Sequence, residues 1–169
     1  LDVLDKNIPS NLCILRTLSK AWGLAGLRVG YALCSEDIAM KLLDVKSPFN
    51  VNVVSQEIAC IMLEYDEWMK SRVYSIRFLR DKFIEEVNEL ESFHAYPSQG
   101  NFVLVRTDID REYMSTILKE KGIRLNMLEL DVNGLTWMRI SIGKEDELNY
   151  VIQVFRSIVR QPNVEFVIA

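Results

Sequence analysis

Histidine and cysteine are scarce in this sequence, and their scarcity excludes several kinds of site. His94 is the only histidine, and Cys13, Cys34 and Cys60 form no CxxC pair. A metal site of the zinc type needs a cluster of such ligands, so we expect no metal. A Ser/His/acid hydrolase would have to use His94 and a GxSxG elbow, which is missing. We interpret the cysteines as reduced, buried thiols of a cytoplasmic protein, and His94 as an ordinary residue near a strand.

Basic clusters and long apolar runs are also missing. The chain has 20 Lys and Arg against 24 Asp and Glu, which gives a net charge of −4. Nucleic acid is not an expected partner, because binding a phosphate backbone needs clustered positive charge. No apolar run approaches the about 18 residues that a membrane-spanning helix needs. Asp2, Asp5 and Lys6 interrupt any signal peptide at the start, so no membrane partner is expected.

What is present is typical of a globular protein with one ordinary domain or two small ones. Of its 169 residues, 49% are hydrophobic and 26% are charged. Short apolar runs at 12–16 and 28–34 predict two strands, the first of them buried, joined by a loop over 17–27. Ser35 then predicts the start of a helix that runs to about Val45.

Amphipathic patterns continue along the rest of the chain. Apolar residues at three- and four-residue steps predict a helix from Asn52 and a long helix over about 66–90. Beyond it, the order of elements predicts a small α+β module with helices on one side of a sheet. The expected elements are strands 101–107, 123–126 and 136–142, and helices 110–121 and 144–159. The apolar segment in the tail, 162–169, fits none of them.

The loop after the first strand holds the residues that suggest chemistry. Lys20 has hydroxyl and apolar neighbours, and partial desolvation would disfavour its charged form and make the amine a better nucleophile. Thr17 and Ser19 are two residues apart, so an extended backbone would point both hydroxyls the same way. Arg28 offers a bidentate fork to a phosphate. One site could therefore hold an aldehyde and a phosphate, the two groups that pyridoxal phosphate (PLP) presents together.

Gly23 and Gly26 would permit the tight backbone path between Lys20 and Arg28. The residues alone also describe a lysine at a strand end and an arginine in a structural ion pair. On physical grounds this simpler interpretation is favoured, because lysines near turns are common. The spacing gains weight only beside a known family.

The stretch TLSKAWGLAGLRVGY at 17–31 closely resembles the PLP-lysine signature of the fold-type I aminotransferases, and it is most similar to the histidinol-phosphate aminotransferase family. The resemblance implies PLP as the cofactor. It implies that Lys20 forms the Schiff base with PLP and acts as the proton shuttle. It further implies that Thr17, Ser19 and Arg28 hold the PLP phosphate.

The resemblance extends over nearly the whole chain in family order. PFNVN at 48–52, the strand within 97–106 and MRISIG at 138–143 are each similar to family segments. The implied fold class is α/β. The implied domains are 1–65 as the end of the PLP-binding large domain, 66–91 as a connecting long helix, and 92–169 as a small α+β C-terminal domain.

Three residues of the second module are candidates for substrate binding. In the wider superfamily the arginine that matches Arg139 binds the substrate carboxylate, and in the histidinol-phosphate enzymes it faces the substrate phosphate. A bidentate donor suits either anion. The family usually has a further arginine where this sequence has Asn126. Arg124 stands two residues earlier, hence on the same face of an extended strand, and it either substitutes in part or is unrelated.

The activity implied by the resemblance is PLP-dependent transamination in histidine biosynthesis, with histidinol phosphate as amino donor and 2-oxoglutarate and glutamate as the oxo-acid pair. Alternatives are an aromatic or other amino-acid aminotransferase, or a phosphothreonine-type decarboxylase. Members of the family are homodimers, so the resemblance also implies a homodimer.

In the family, the aspartate on the pyridine nitrogen, the partners of the ring and a phosphate-binding loop all precede the part that matches this chain. We therefore expect the chain to be a C-terminal fragment that is inactive by itself and holds PLP loosely. An alternative hypothesis is that the chain by itself is a non-catalytic domain that only folds or associates.

Overall fold

A computed structural model describes residues 8–160 of the chain, with the backbone alone at 131 and 132. The tail at 162–169 lies outside the described residues. The chain divides into two compact units, Leu1–Val73 and Tyr74–Ala169. Helices and strands are mixed in both, so the α/β class is confirmed. The division into a large-domain end, a connecting helix and a small domain stays a prediction. Within the described range, no helix is long and apolar enough to cross a membrane.

The first unit contains a two-stranded antiparallel sheet followed by helices. Strand β1 is Cys13–Thr17 and strand β2 is Gly30–Cys34, and the loop between them holds a 3₁₀ turn at Ala25–Leu27. Helix α1 is Glu36–Val45 and helix α2 is Val53–Leu63. Asn52 caps α2, because its side-chain oxygen accepts a hydrogen bond from the Ser55 N–H at 2.9 Å.

The prediction that the first of these strands is buried is wrong for the described chain, and the second strand is mostly exposed as well. Leu15 in β1 is 78% exposed, and Tyr31 in β2 is 42% exposed. Cys13 and Cys60 are exposed and Cys34 is half-buried, so the three thiols do not form part of a core either. The physical reason is that a two-stranded sheet has no further strand beside it, and most side chains on both its strands remain open to solvent.

Helix α3, Asp66–Asn88, begins in the first unit and ends in the second, and it confirms the predicted long helix. The second unit is a four-stranded antiparallel sheet in the order β3-β4-β6-β5. Its strands are β3 (Phe93–Ala95), β4 (Phe102–Thr107), β5 (Asn126–Val132) and β6 (Leu135–Ser141), and its helices are α4 (Arg111–Glu120) and α5 (Glu145–Arg160). His94 lies exposed on β3, as an ordinary strand residue.

The predicted strand at 123–126 is wrong, because β5 begins at Asn126 and continues to Val132. The hairpin turn between β5 and β6 explains the difference. Asn133 and Gly134 both have a positive φ, 58° and 66°, which is the backbone that a two-residue hairpin turn requires. The pairing of β5 with β6 therefore extends up to this turn.

The core of the second unit lies between one face of the sheet and the helices. Alternation along β4 and β6 buries Val103, Val105, Met138 and Ile140 on that face. Phe155 of α5 stacks on Phe93, with ring centroids 4.3 Å apart. Further buried residues come from α3, α4 and α5: Phe83, Val87, Met114, Leu118, Leu148, Val151, Ile152, Val154 and Ile158.

Candidate active site

The loop after β1 brings the two predicted phosphate-binding hydroxyls together. The Thr17 hydroxyl donates to Ser19 Oγ at 2.9 Å, and the Ser19 N–H donates to Thr17 Oγ1 at 3.1 Å. The two hydroxyls are thus in contact, but on a bend over residues 18–20 and not on the extended backbone that was expected. The arrangement leaves the hydroxyl hydrogen of Ser19 to donate elsewhere, which suits an anion placed beside the loop.

Leu18 fixes this loop to the strands. It is the buried residue between the two hydroxyls, with 2% exposure. Its N–H donates to the Val29 carbonyl at 3.1 Å, and its carbonyl accepts from the Leu24 N–H at 3.0 Å. The backbone then turns directly after Lys20, whose carbonyl accepts from the Gly23 N–H at 2.9 Å, and Gly23 has a φ of 69°. Lys20 therefore starts a tight turn whose base is anchored by one apolar side chain.

The structure leaves the Lys20 side chain exposed, so the predicted partial desolvation of its amine is wrong for the described chain. Lys20 follows the exposed strand β1, and none of the residues around the turn, from Ala21 to Leu27, is buried. The amine is available for reaction, but its reactivity is not raised by burial within residues 8–160.

Arg28 occupies an unusual backbone conformation. Its φ of 55° lies in the left-handed region, and its Nη1 donates to the Ala25 carbonyl at 3.1 Å. Holding a non-glycine residue there costs roughly 1–2 kcal/mol, and such positions cluster at ligand clamps. Gly26, by contrast, has no positive φ and has open space around its Cα. Of the two glycines predicted to permit the tight path, Gly23 has a positive φ of 69° and Gly26 does not, and Arg28 itself makes the other left-handed turn.

A further cation near the loop was not identified from the sequence. The guanidinium of Arg72 lies 3.5 Å from the position that a Cβ would take at Gly23, and it also packs over the Trp68 ring at 4.8 Å. Arg72 follows Lys20 by fifty-two positions in the sequence, and no local pattern connects the two. Only the folded arrangement of α3 within the first unit places a second guanidinium beside this turn.

In the second unit, two of the three candidate substrate residues are direct neighbours. Asn126 and Arg139 are partners in the β5–β6 ladder, and Leu104 on β4 is the other partner of Arg139. The Arg139 guanidinium lies over the Phe102 ring, with its central carbon 4.2 Å from the ring centroid. A cation over an aromatic face is held in place while its N–H groups remain free to meet an anion.

Arg124 does not share the strand with Asn126, because β5 begins only at Asn126. The expectation that Arg124 lies on the same strand face is therefore wrong. Arg124 instead lines a cavity of about 320 Å³ together with Ser141, Glu147 and Tyr150. Its side chain is exposed, and a role in substrate binding stays a prediction.

The seven predicted site residues thus lie in two units. Thr17, Ser19, Lys20 and Arg28 are in the first, and Arg124, Asn126 and Arg139 are in the second. Within the part of the chain that the structure describes, no group of three or more His, Cys, Asp and Glu residues could hold a metal ion.

Comparison with known proteins gives a consistent picture. Residues 3–155 match the family model of aminotransferase class I and II. The chain is 40% identical over 150 residues to the histidinol-phosphate aminotransferase of Caldanaerobacter subterraneus subsp. tengcongensis, an alignment that covers 88% of this chain and 42% of that protein. The chain thus spans about two fifths of the length of the curated relative it matches.

Two solved structures are similar in fold. The histidinol-phosphate aminotransferase of Sinorhizobium meliloti in complex with pyridoxal-5'-phosphate matches with a TM-score of 0.73 and 26% identity, over 89% of this chain and 43% of that one. L-threonine-O-3-phosphate decarboxylase from Porphyromonas gingivalis matches with a TM-score of 0.76 and 21% identity, over 90% of this chain and 48% of that one. At that identity the decarboxylase shows the fold alone.

Proposed function

This chain belongs to the class I and II aminotransferases, and we propose that it supplies the cofactor lysine, Lys20, of a PLP-dependent aminotransferase. The observation that carries the proposal is the joined hydroxyl pair of Thr17 and Ser19 next to Lys20 on one anchored turn. The similar structure from Sinorhizobium meliloti, which is in complex with pyridoxal-5'-phosphate, supports the cofactor assignment.

The side chains present in the first unit fit the aldehyde and the phosphate of PLP. The hydroxyls of Thr17 and Ser19 are 2.9 Å apart and can turn toward one phosphate. The Arg28 guanidinium uses one N–H on the Ala25 carbonyl and has further donors for the same anion. The amine of Lys20 is exposed and can reach an aldehyde held in front of the turn.

Each residue then has a distinct role. PLP, when bound, withdraws electrons from the carbon that carries the substrate's amino group. Nζ of Lys20 would hold the aldehyde end of the cofactor, and as a free amine it would carry a proton to and from the substrate carbon. Thr17, Ser19 and Arg28 would hold the phosphate, which would keep the cofactor in a fixed position relative to Nζ of Lys20.

For the substrate, we propose histidinol phosphate as amino donor, with 2-oxoglutarate and glutamate as the acceptor pair. The histidinol-phosphate aminotransferase of Caldanaerobacter subterraneus subsp. tengcongensis, at 40% identity, supports this assignment over a decarboxylase. Arg139 is the residue proposed to meet the substrate anion, with Asn126 beside it in the ladder as a weaker, uncharged donor, and Arg124 as a further candidate. A homodimer in the cytoplasm is part of the same proposal.

The cofactor assignment can be tested on the chain itself. The chain is mixed with PLP, reduced with borohydride and digested, and the labelled lysines are mapped. We expect Lys20 to be labelled well before Lys41, which is an exposed lysine of α1 in the same unit. Inorganic phosphate should suppress labelling at Lys20 and leave Lys41 unchanged, because only Lys20 has a phosphate site beside it.

Thr17→Ala combined with Ser19→Ala should remove the effect of phosphate on Lys20. Equal labelling of Lys20 and Lys41, with no influence of phosphate, would rule out a cofactor site on this loop.

The substrate assignment needs a protein that contains this chain and the remainder of the fold seen in its relatives. Such a protein should turn over histidinol phosphate with 2-oxoglutarate, and Arg139→Ala should raise KM for the phosphorylated donor. Turnover of free amino acids alone would instead support another aminotransferase.

A further inference from the structure

Two of the three cysteines meet across the small sheet of the first unit. Cys13 begins β1 and Cys34 ends β2, and they are direct partners in the antiparallel ladder. Directly opposite residues in such a ladder have Cα atoms about 4.5 or 5.5 Å apart, depending on the hydrogen-bonding pattern. Both values fall within the roughly 4.4–6.8 Å range that disulfides use. The Cα separation set by the ladder is therefore one that a disulfide can span.

The side chains of this pair are also close to each other. Opposite residues of an antiparallel ladder point to the same face of the sheet. Partial burial raises the pKa of the Cys34 thiol above its ordinary value, and the neighbouring Cys13 thiol raises it further through charge and hydrogen bonding. The two thiols thus influence each other directly, which widely spaced cysteines do not do.

Access to the pair is asymmetric. Cys13 is exposed and Cys34 is half-buried. A small oxidant in solution therefore reaches Cys13 first, and Cys34 is placed behind it to complete the bond. Cys60, on α2, is exposed as well, but it is not part of the ladder that pairs Cys13 with Cys34.

We propose that Cys13 and Cys34 are a dithiol modification site that forms a reversible disulfide with a low-molecular-weight disulfide such as oxidised glutathione. The Cys13 thiolate attacks one sulfur of the small disulfide, forms a mixed disulfide and releases one small thiol. The Cys34 thiolate then attacks Cys13 Sγ and expels the second small thiol. One S–S bond is broken and one is formed, and the protein's two hydrogens leave on the two small thiols.

The bond would close the open end of the hairpin whose loop carries Lys20. β1 and β2 enter and leave this loop, and the register from Cys13↔Cys34 to Thr17↔Gly30 spans the sheet from its open end to the loop. A covalent link at the open end would fix that register and so limit separation of the strands. This proposal depends on the strand register alone and stands whether or not Lys20 binds PLP.

The experiment uses the whole 169-residue chain in glutathione buffers of increasing oxidised fraction. After each incubation the sample is acid-quenched, its free thiols are alkylated, and its peptides are mapped without reduction. We expect the Cys13 and Cys34 peptides to become linked within one chain while Cys60 is still alkylated. Half of the chains should be linked at an oxidised fraction of glutathione at least about tenfold lower than the fraction that modifies half of Cys60. The reason is that the Cys34 thiol acts within the same chain, at a high effective concentration.

Single-serine variants separate the pair from ordinary surface thiols. Cys60→Ser should link as wild type does, whereas Cys13→Ser and Cys34→Ser should give only glutathione adducts, at the oxidised fraction that Cys60 requires. The wild-type mapping needs no variant, so misfolding of one cannot hide the answer. Independent modification of Cys13 and Cys34, or links between chains only, would overturn the proposal.

Discussion

Helices α1 and α5 show how differently the two units of this protein use an apolar sequence. α1 has no buried residue, and its Met40, Leu43 and Val45 are more than half exposed. α5 buries six residues, among them Phe155 with no exposed surface. Both helices carry many apolar residues, so composition does not separate them. What differs is that α5 lies against a four-stranded sheet and a core, whereas the apolar side chains of α1 remain open.

The difference extends to the whole of each unit. Among the described residues of the first unit, Leu18 and Ala59 are the only apolar residues that are buried. Apolar burial stabilises a fold by about 25 cal/mol per Å² removed from water. The second unit therefore holds most of the stability of the described chain, and the unit with the chemistry-bearing loop has little core of its own. The anchoring of that loop depends on single contacts such as Leu18.

The largest effect should come from removing an aromatic ring from the second unit's core. Phe155→Ala deletes a fully buried ring that stacks on Phe93 at 4.3 Å. We expect a loss of about 3–5 kcal/mol in the free energy of unfolding, because a cavity remains. Urea unfolding followed by tryptophan fluorescence measures it in a Trp22→Phe, Trp68→Phe background, where the signal comes from Trp137 on β6 of this unit.

Phe78→Ala is the matched control, because Phe78 is on α3 in the same unit and is 58% exposed. It should change the same quantity by about 0.5 kcal/mol or less. Similar losses for both variants would contradict the assignment of the core to one face of the sheet.

The sequence predicted most of the elements because their signals are local. Asp110 caps α4 as expected, with the Tyr113 N–H donating to its carboxylate at 2.9 Å. The alternation of Val103 and Val105 with more exposed residues marks β4 directly. The strand β5 was misplaced although the Asn133-Gly134 pair is itself a hairpin signal, readable from the sequence.

The site was predictable to a smaller extent, because burial and cross-strand pairing are properties of the fold. The presence of two hydroxyls two residues apart is visible in the sequence, but the contact of Thr17 with Ser19 depends on the bend over 18–20, because an extended backbone would separate these residues by about 6.6 Å. The exposure of Lys20 could not, since it depends on what covers the sheet. The pairing of Cys13 with Cys34 depends on a register that no local pattern in β1 or β2 specifies.

A smaller effect is expected in the first unit from one added methyl group. A Cβ at Gly30 would lie 2.7 Å from the Arg16 carbonyl oxygen, on the strand opposite. Gly30→Ala should therefore destabilise the β1–β2 pairing by about 1–3 kcal/mol, as overpacking does. Hydrogen exchange of the β1 and β2 amides, read by mass spectrometry, should become faster while exchange in β4 and β6 stays unchanged.

Gly26→Ala serves as the control, because a Cβ there has nothing within 4 Å and the backbone has no positive φ. Its exchange should match that of the wild type. If Gly30→Ala left β1 and β2 unaffected, the close approach of the two strands beside Thr17 would not exist in solution.

The smallest effect should come from an ion pair on the surface of the second unit. Lys82 Nζ on α3 lies 2.7 Å from Glu145 Oε1 on α5, and this hydrogen bond raises the pKa of Lys82 above the ordinary 10.5, against a smaller opposing effect of desolvation. A raised folded-state pKa gives stability that is complete below pH 10.5 and disappears as pH rises through the folded-state pKa. Glu145→Gln should lower the urea midpoint slightly at neutral pH and less in high salt, because both groups are solvent-exposed.

Asp146→Asn removes the same charge from the same helical turn and controls for the helix dipole. The urea midpoint of Glu145→Gln should be lower than that of Asp146→Asn only below the folded-state pKa of Lys82. If the difference persisted unchanged above that pKa, the contact would not act through the lysine charge.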